Sequence, residues 1–156
     1  MGAIEDRIKS LGYTLPDAAT PVANYVTTVH VKGAGLVFTS GHVPRTADGG
    51  FWTGKLGVDI SIDEAYKAAQ NSVLGILGSL KNELGDLDRV KRVVKLLAMV
   101  NSSPDFNQPP AVANGCSDLL VDVFGDKGRH ARSAVGMATL PNDIPVEIEM
   151  IVEVED

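Results

Sequence analysis

Residues Val90 to Asn101 most constrain what this chain can fold into. From Val93 to Val100 apolar side chains stand at both odd and even positions, with Lys95 the one interruption. Side chains alternate between the two faces of a sheet, so a strand apolar on both faces must be covered on both. The run therefore predicts a central strand over 90–101. Only two long helices accompany it. The first opens at Ser61-Ile62-Asp63-Glu64, a capping box, and carries Ala65, Ala69, Val73, Ile76, Leu77 and Leu80 on one face before Gly85 stops it. The second opens at Pro109-Pro110, carries Val112, Cys116, Leu119, Leu120 and Val123, and stops at Gly125. Two helices cover one face of a sheet, so the other face needs a different cover.

The remaining elements are shorter. Ile4, Ile8 and Leu11 share a helical face and Gly12 follows, which predicts a leading helix; residues 13–24, with Pro16 and Pro21, read as a linker. Tyr25–Val31 and Leu36–Ser40 flank Lys32-Gly33-Ala34-Gly35 and read as a hairpin. Residues 41–60 read as a long glycine-rich loop with a marginal strand at Leu56, Val58 and Ile60. The stretch from Gly128 to Met150 reads as two strands joined by a Pro-bounded turn at Pro141–Pro145, a final hairpin. In the second of these strands Val146, Ile148, Met150, Val152 and Val154 lie on one face. Glu147, Glu149, Ile151 and Glu153 lie on the other. The order of elements predicts an α+β fold: one domain over 1–156, with 1–20 as leading helix and linker, and a mixed β-sheet with both long helices packed on one face. The carboxylate-bearing face of the last strand suits a subunit interface with a wet cleft.

Composition narrows the function. The chain has 156 residues, 44% of them hydrophobic and 22% charged, which suits a soluble globular protein. Its net charge of −6 argues against nucleic acid as a partner, since phosphate binding needs clustered Lys and Arg. The densest basic run, Arg89-Val90-Lys91-Arg92, reads as solubilising charge. Cys116 is the only cysteine, so no intrachain disulfide can form, and its helical position marks it as a small core hydrophobe. The start, Met1-Gly2-Ala3-Ile4-Glu5-Asp6, is acidic and no long apolar run follows; the expectation is a cytoplasmic protein with no membrane contact. His42 and His130 can each titrate near neutrality, but neither stands in metal-ligand spacing, so no metal is expected.

One residue breaks the pattern. Arg132 sits in an otherwise small and apolar strand, where a guanidinium is costly unless an anion meets it. Its fork suits a carboxylate, either the chain's own Glu147 or Glu149 or that of a ligand. The surrounding residues, Ala131-Arg132-Ser133-Ala134-Val135-Gly136-Met137-Ala138-Thr139-Leu140-Pro141 followed by Val146-Glu147-Ile148-Glu149, resemble the reactive intermediate deaminase (Rid, YjgF-like) family. There the pattern is Ala-Arg-Ser-x-Val-x-x-Ala-x-Leu-Pro, a short gap, then Val-Glu-Ile-Glu. Thr39-Ser40-Gly41-His42-Val43-Pro44 is similar to the family's Ser-Gly-Gln-x-Pro turn. Asn24-Tyr25-Val26 falls at its Pro-Tyr, and Asn114 falls on a family asparagine. The resemblance covers roughly residues 20 to 154. Two departures stand out: His42 replaces the usual glutamine, and Ala134 replaces a cysteine that many members carry.

The resemblance implies a chorismate-mutase-like subunit of a homotrimer with ligand clefts between subunits. It also implies a cofactor-free imine/enamine deaminase that hydrolyses small 2-imino acids to 2-keto acids and ammonia. Arg132 would hold the substrate carboxylate, and Glu147 would position the attacking water, with Glu149 the alternative. Tyr25, Gly41 and Asn114 would line the cleft. Each has a plainer reading: a cross-strand aromatic for Tyr25, a turn needing backbone freedom for Gly41, a loop cap for Asn114. Two other functions compete: a non-catalytic, carboxylate-binding regulatory trimer, and an endoribonuclease, which the acidic charge argues against.

Overall fold

The structure, a computed structural model, describes residues 2–155. The capping box places the first long helix, α2, at Ile62–Leu84: Ser61 Oγ accepts from the Glu64 amide at 3.2 Å and the Glu64 carboxylate accepts from the Ser61 amide at 3.0 Å. Gly85, with φ 79°, ends it in a conformation that a side chain disfavours. The second long helix, α3, runs Pro109–Phe124, and the leading helix, α1, runs Ala3–Ser10. Asp88 caps α1 from a distance, accepting from the amides of Ala3 and Ile4 at 2.8 Å each, while buried Glu5 pairs with Lys81 at 2.5 Å. Strands are β1 (Thr28–Val31), β2 (Leu36–Thr39), β3 (Val90–Asn101), β4 (Ala131–Met137) and β5 (Val146–Val154). Short 3-10 turns lie at Leu87–Arg89, Gly125–Gly128 and Pro141–Asp143. The 41–60 segment forms only isolated bridges, at His42, Arg45–Phe51 and Leu56.

Two expectations need correction. The first hairpin starts at Thr28, so Tyr25 lies before the strand rather than across from a partner on it. The final hairpin does not exist. The sheet order is β1-β2-β5-β3-β4, with β3 between β4 and β5. Strand β4 pairs parallel with β3, and the crossover this demands is α3. Residues 138–145 then pass over the end of β3, where the Asn101 amide donates to the Pro145 carbonyl at 2.9 Å. Strand β5 returns antiparallel to both β3 and β2. The result is the α+β arrangement the sequence predicts: a five-stranded mixed sheet with α2 and α3 on one face.

Beneath the helices the central strands β3 and β5 are apolar. Leu96, Ala98 and Val100 of β3 and Val146, Ile148, Met150, Val152 and Val154 of β5 are buried beneath the stripes of both helices. The other face is open. Register places Val29, Phe38 and Ile151 in one row across it with Lys95, then Leu97 with Glu149 and Ser133, then Met99 with Glu147 and Val135. Val29, Phe38 and Val135 are each more than two-fifths exposed. The second face of β3 is thus half apolar and has no cover within the described residues. No helix of those residues is long and apolar enough to cross a membrane.

Candidate functional site

Strand pairing decides which faces the two charged candidates occupy. Arg132 aligns with Leu96, so it lies on the helix face of the edge strand β4. Glu147 aligns with Met99 on the open face. The sheet therefore stands between them, and the expected alternative of an ion pair from Arg132 to Glu147 or Glu149 within one chain is ruled out by parity.

Arg132 meets α3 instead. Its Nη1 donates to Asn114 Oδ1 at 2.9 Å and to Ser117 Oγ at 3.1 Å. Both protons of Nη1 are thereby used. Nε and Nη2 form the other edge of the guanidinium, two parallel donors suited to one carboxylate, and neither has a partner among the described residues. Asn114 thus holds the arginine rather than capping a loop. Ser117, absent from the sequence reading, shares that task. A polar residue one helical turn from Asn114, facing the same strand, was the available signal.

The second group gathers around Glu147. Gly41 packs on it so closely that a Cβ there would lie 2.7 Å from Glu147 Oε1 and 2.9 Å from Cγ. Gly41 has no left-handed φ, so room for Glu147, rather than backbone freedom, requires the glycine. The turn is fixed from below. The backbones of His42 and Ile148 exchange hydrogen bonds at 2.8 and 3.0 Å, and buried His42 bonds the Ser40 carbonyl through Nδ1 and Ser79 Oγ through Nε2, both at 2.8 Å. Ser40 also ties down the segment after Tyr25: its amide donates to the Thr27 carbonyl and its hydroxyl to that of Val26. Tyr25, one residue before Val26, is half exposed. Burial, and next the charge of Glu149, push the Glu147 carboxyl above its ordinary range. The candidates thus fall into two clusters, Arg132 with Asn114 and Glu147 with Gly41, on opposite faces, and Tyr25 belongs to neither, lying just before the segment that Ser40 ties down. Cys116, fully buried behind Arg132, has its thiol pushed well up by burial.

Comparison with known proteins agrees with this architecture. Residues 5–153 match the family described as "YjgF/chorismate_mutase-like, putative endoribonuclease", and the chain belongs to that family. It is 44% identical over 156 residues to Protein TCP17 of Trypanosoma cruzi, covering 99% of this chain and 96% of that one. Among solved structures it is similar to Atu1372 of Agrobacterium tumefaciens, a protein of unknown function, at 42% identity and a TM-score of 0.88 over 97% of this chain and 94% of that one. A Shewanella oneidensis protein titled a "putative endoribonuclease" matches with a TM-score of 0.92 at 28% identity, over 98% and 100% of the two chains.

Proposed function

We propose that the protein hydrolyses small reactive 2-imino acids, or their enamine tautomers, to 2-keto acids and ammonia, in a site completed by a second copy of the chain. The observation that carries this reading is the Arg132 guanidinium: α3 fixes one edge, and the Nε/Nη2 edge meets no carboxylate among the described residues. Glu147 cannot reach it from the far side of the same sheet, so the two clusters meet only if one copy presents Arg132 and another presents Glu147. The open, half-apolar sheet face supplies a surface for that association, and the family resemblance favours a homotrimer. Light scattering on the purified protein is expected to give three chain masses; a monomer at micromolar concentration refutes the association.

In the chemistry, Arg132 orients the substrate through its carboxylate and Glu147 takes a proton from water as the oxygen adds to the imine carbon. Glu147 returns that proton to the carbinolamine nitrogen, which leaves as ammonia while the hydroxyl gives up its own proton and becomes the carbonyl of the keto acid. An iminium carbon is already electrophilic, so positioning and one proton acceptor suffice, without a cofactor. A carboxyl with its proton affinity raised by half-burial suits that acceptor better than an exposed one.

The test is a pair of variants. Arg132→Ala is expected to remove roughly 2–5 kcal/mol of keto-acid binding, and Arg132→Lys nearly as much, because an ammonium lacks the planar fork. Glu147→Gln is expected to bind a keto acid at least as well as the parent while imine hydrolysis in stopped flow falls roughly 10²–10⁴-fold. The parent affinity in Arg132→Ala, or the parent turnover in Glu147→Gln, refutes the corresponding role. Binding without any turnover in the parent protein leaves the regulatory reading instead.

A further inference from the structure

We infer that Ser117 and His130 are a positioning pair that aims the Arg132 fork, an inference that rests on the reading of Arg132 as the carboxylate clamp. The hydrogen bonds form one chain. His130 Nδ1 lies 2.6 Å from the Gly128 carbonyl, His130 Nε2 lies 2.9 Å from Ser117 Oγ, and Ser117 Oγ lies 3.1 Å from Arg132 Nη1. A carbonyl only accepts, so the Nδ1 nitrogen carries the proton. In the neutral ring Nε2 is then an acceptor, and it takes the hydroxyl proton of Ser117. With that proton engaged, the serine oxygen turns its lone pairs toward Arg132. Every donor and acceptor in the chain has one consistent role.

The anchor of the chain does not yield. Gly128 is buried, and a Cβ there would stand 2.2 Å from the Leu120 carbonyl oxygen, so the 125–128 turn lies pressed on α3. The same helix carries Ser117 and Asn114. The histidine is therefore held between a turn and a helix that are fixed to each other, and it bears on the serine from behind. An arginine on an edge strand would otherwise sample several rotamers, and a ligand would have to order it on binding. Asn114 is exposed, whereas Ser117 is half buried and braced, so Ser117 is the firmer of the two supports.

The test uses the full chain, with pyruvate as the carboxylate probe in calorimetry and the thermal midpoint measured alongside. Ser117→Ala is expected to weaken pyruvate binding about 10-fold, as loss of a hydrogen bond to a charged group would. Ser117→Thr keeps the hydroxyl and is expected to restore the parent affinity. His130→Phe, which removes the acceptor behind the serine, is expected to weaken binding in the same direction as Ser117→Ala. Parent affinity in both Ser117→Ala and His130→Phe, with Arg132→Ala still losing binding, overturns this inference alone. Weakening that Ser117→Thr does not restore also overturns it, because the hydroxyl is then not what acts. Unchanged binding in Arg132→Ala overturns the underlying reading instead.

Discussion

A Cβ placed at Gly41 should act through Glu147 and through little else, and a double-mutant cycle can isolate that. In the native structure it would lie 2.7 Å from Oε1 and 2.9 Å from Cγ and Cδ of Glu147. These distances are below ordinary contact, and they take in the stem carbon Cγ as well as the carboxyl group, so Glu147 must leave its place. Overpacking of this kind costs about 1–3 kcal/mol. Gly41 does not use a left-handed φ, so alanine also gains about 0.4–1 kcal/mol by restricting the unfolded chain. Gly41→Ala alone should therefore range from neutral to roughly 2.5 kcal/mol destabilising, and turnover should fall because Glu147 is displaced. In a Glu147→Ala background the obstruction is gone and only the unfolded-state effect remains, so the same change should stabilise by about 0.4–1 kcal/mol. The coupling energy is then about 1–3 kcal/mol, measurable by urea denaturation of the four proteins. Equal effects of Gly41→Ala in both backgrounds would show that the turn, and not Glu147, needs the glycine.

Two further outcomes follow from buried groups. Burial pushes His42 below its ordinary value of 6.5, against a smaller upward pull from its bond to the Ser40 carbonyl, so the folded state prefers the neutral ring. Below pH 6.5 the unfolded chain takes up a proton that the folded chain resists, and stability falls as pH drops from 6.5 toward the folded-state value. Melting curves between pH 7.5 and 5.5 should show a steeper loss in the parent than in His42→Gln, and identical slopes would refute a buried neutral histidine. Cys116 is buried with its thiol pushed up, so a disulfide reagent should label the native protein only as fast as it opens. Rapid labelling of the folded state would place the thiol at an accessible surface.

Much of the fold is written in local signals. The Ser61–Glu64 box, the Gly85 and Gly125 stops and the Pro109-Pro110 start fix both long helices, because caps act within one turn of chain. The doubly apolar run over 90–101 likewise marks the central strand. Strand order is different in kind. The Pro-bounded link from Met137 to Val146 has the chemistry of a hairpin turn, yet pairing is settled by which edges fit, and β5, apolar along its whole buried face, fits between β2 and β3. The same gap explains the candidate site. Arg132 and Glu147 both stand out in sequence, and the alternation along β5 gives the face of Glu147, but the face of Arg132 follows from its alignment with Leu96, which no local pattern encodes. Tyr25 was legible as an aromatic but not as lying outside the strand, since β-rich composition continues through residues 25–27.

The place of β5 bears on how the chain comes to be folded at all. It is synthesised after β1–β4, yet β1–β2 on one side and β3–β4 on the other share no ladder without it. Until residues 146–154 leave the ribosome, the first hairpin is an isolated two-stranded unit, which is at best marginally stable. Meanwhile β3 exposes a twelve-residue, largely apolar edge. From residue 101 until β5 emerges, the nascent chain therefore carries this strand with its β5 edge unpaired. Its pairing of residues 36–38 with 151–153 spans more than a hundred residues of chain, a closure that slows folding. A stop before residue 146 should leave two unconnected pieces of sheet rather than a smaller version of the protein, and chaperone dependence should concentrate in the interval before β5 appears.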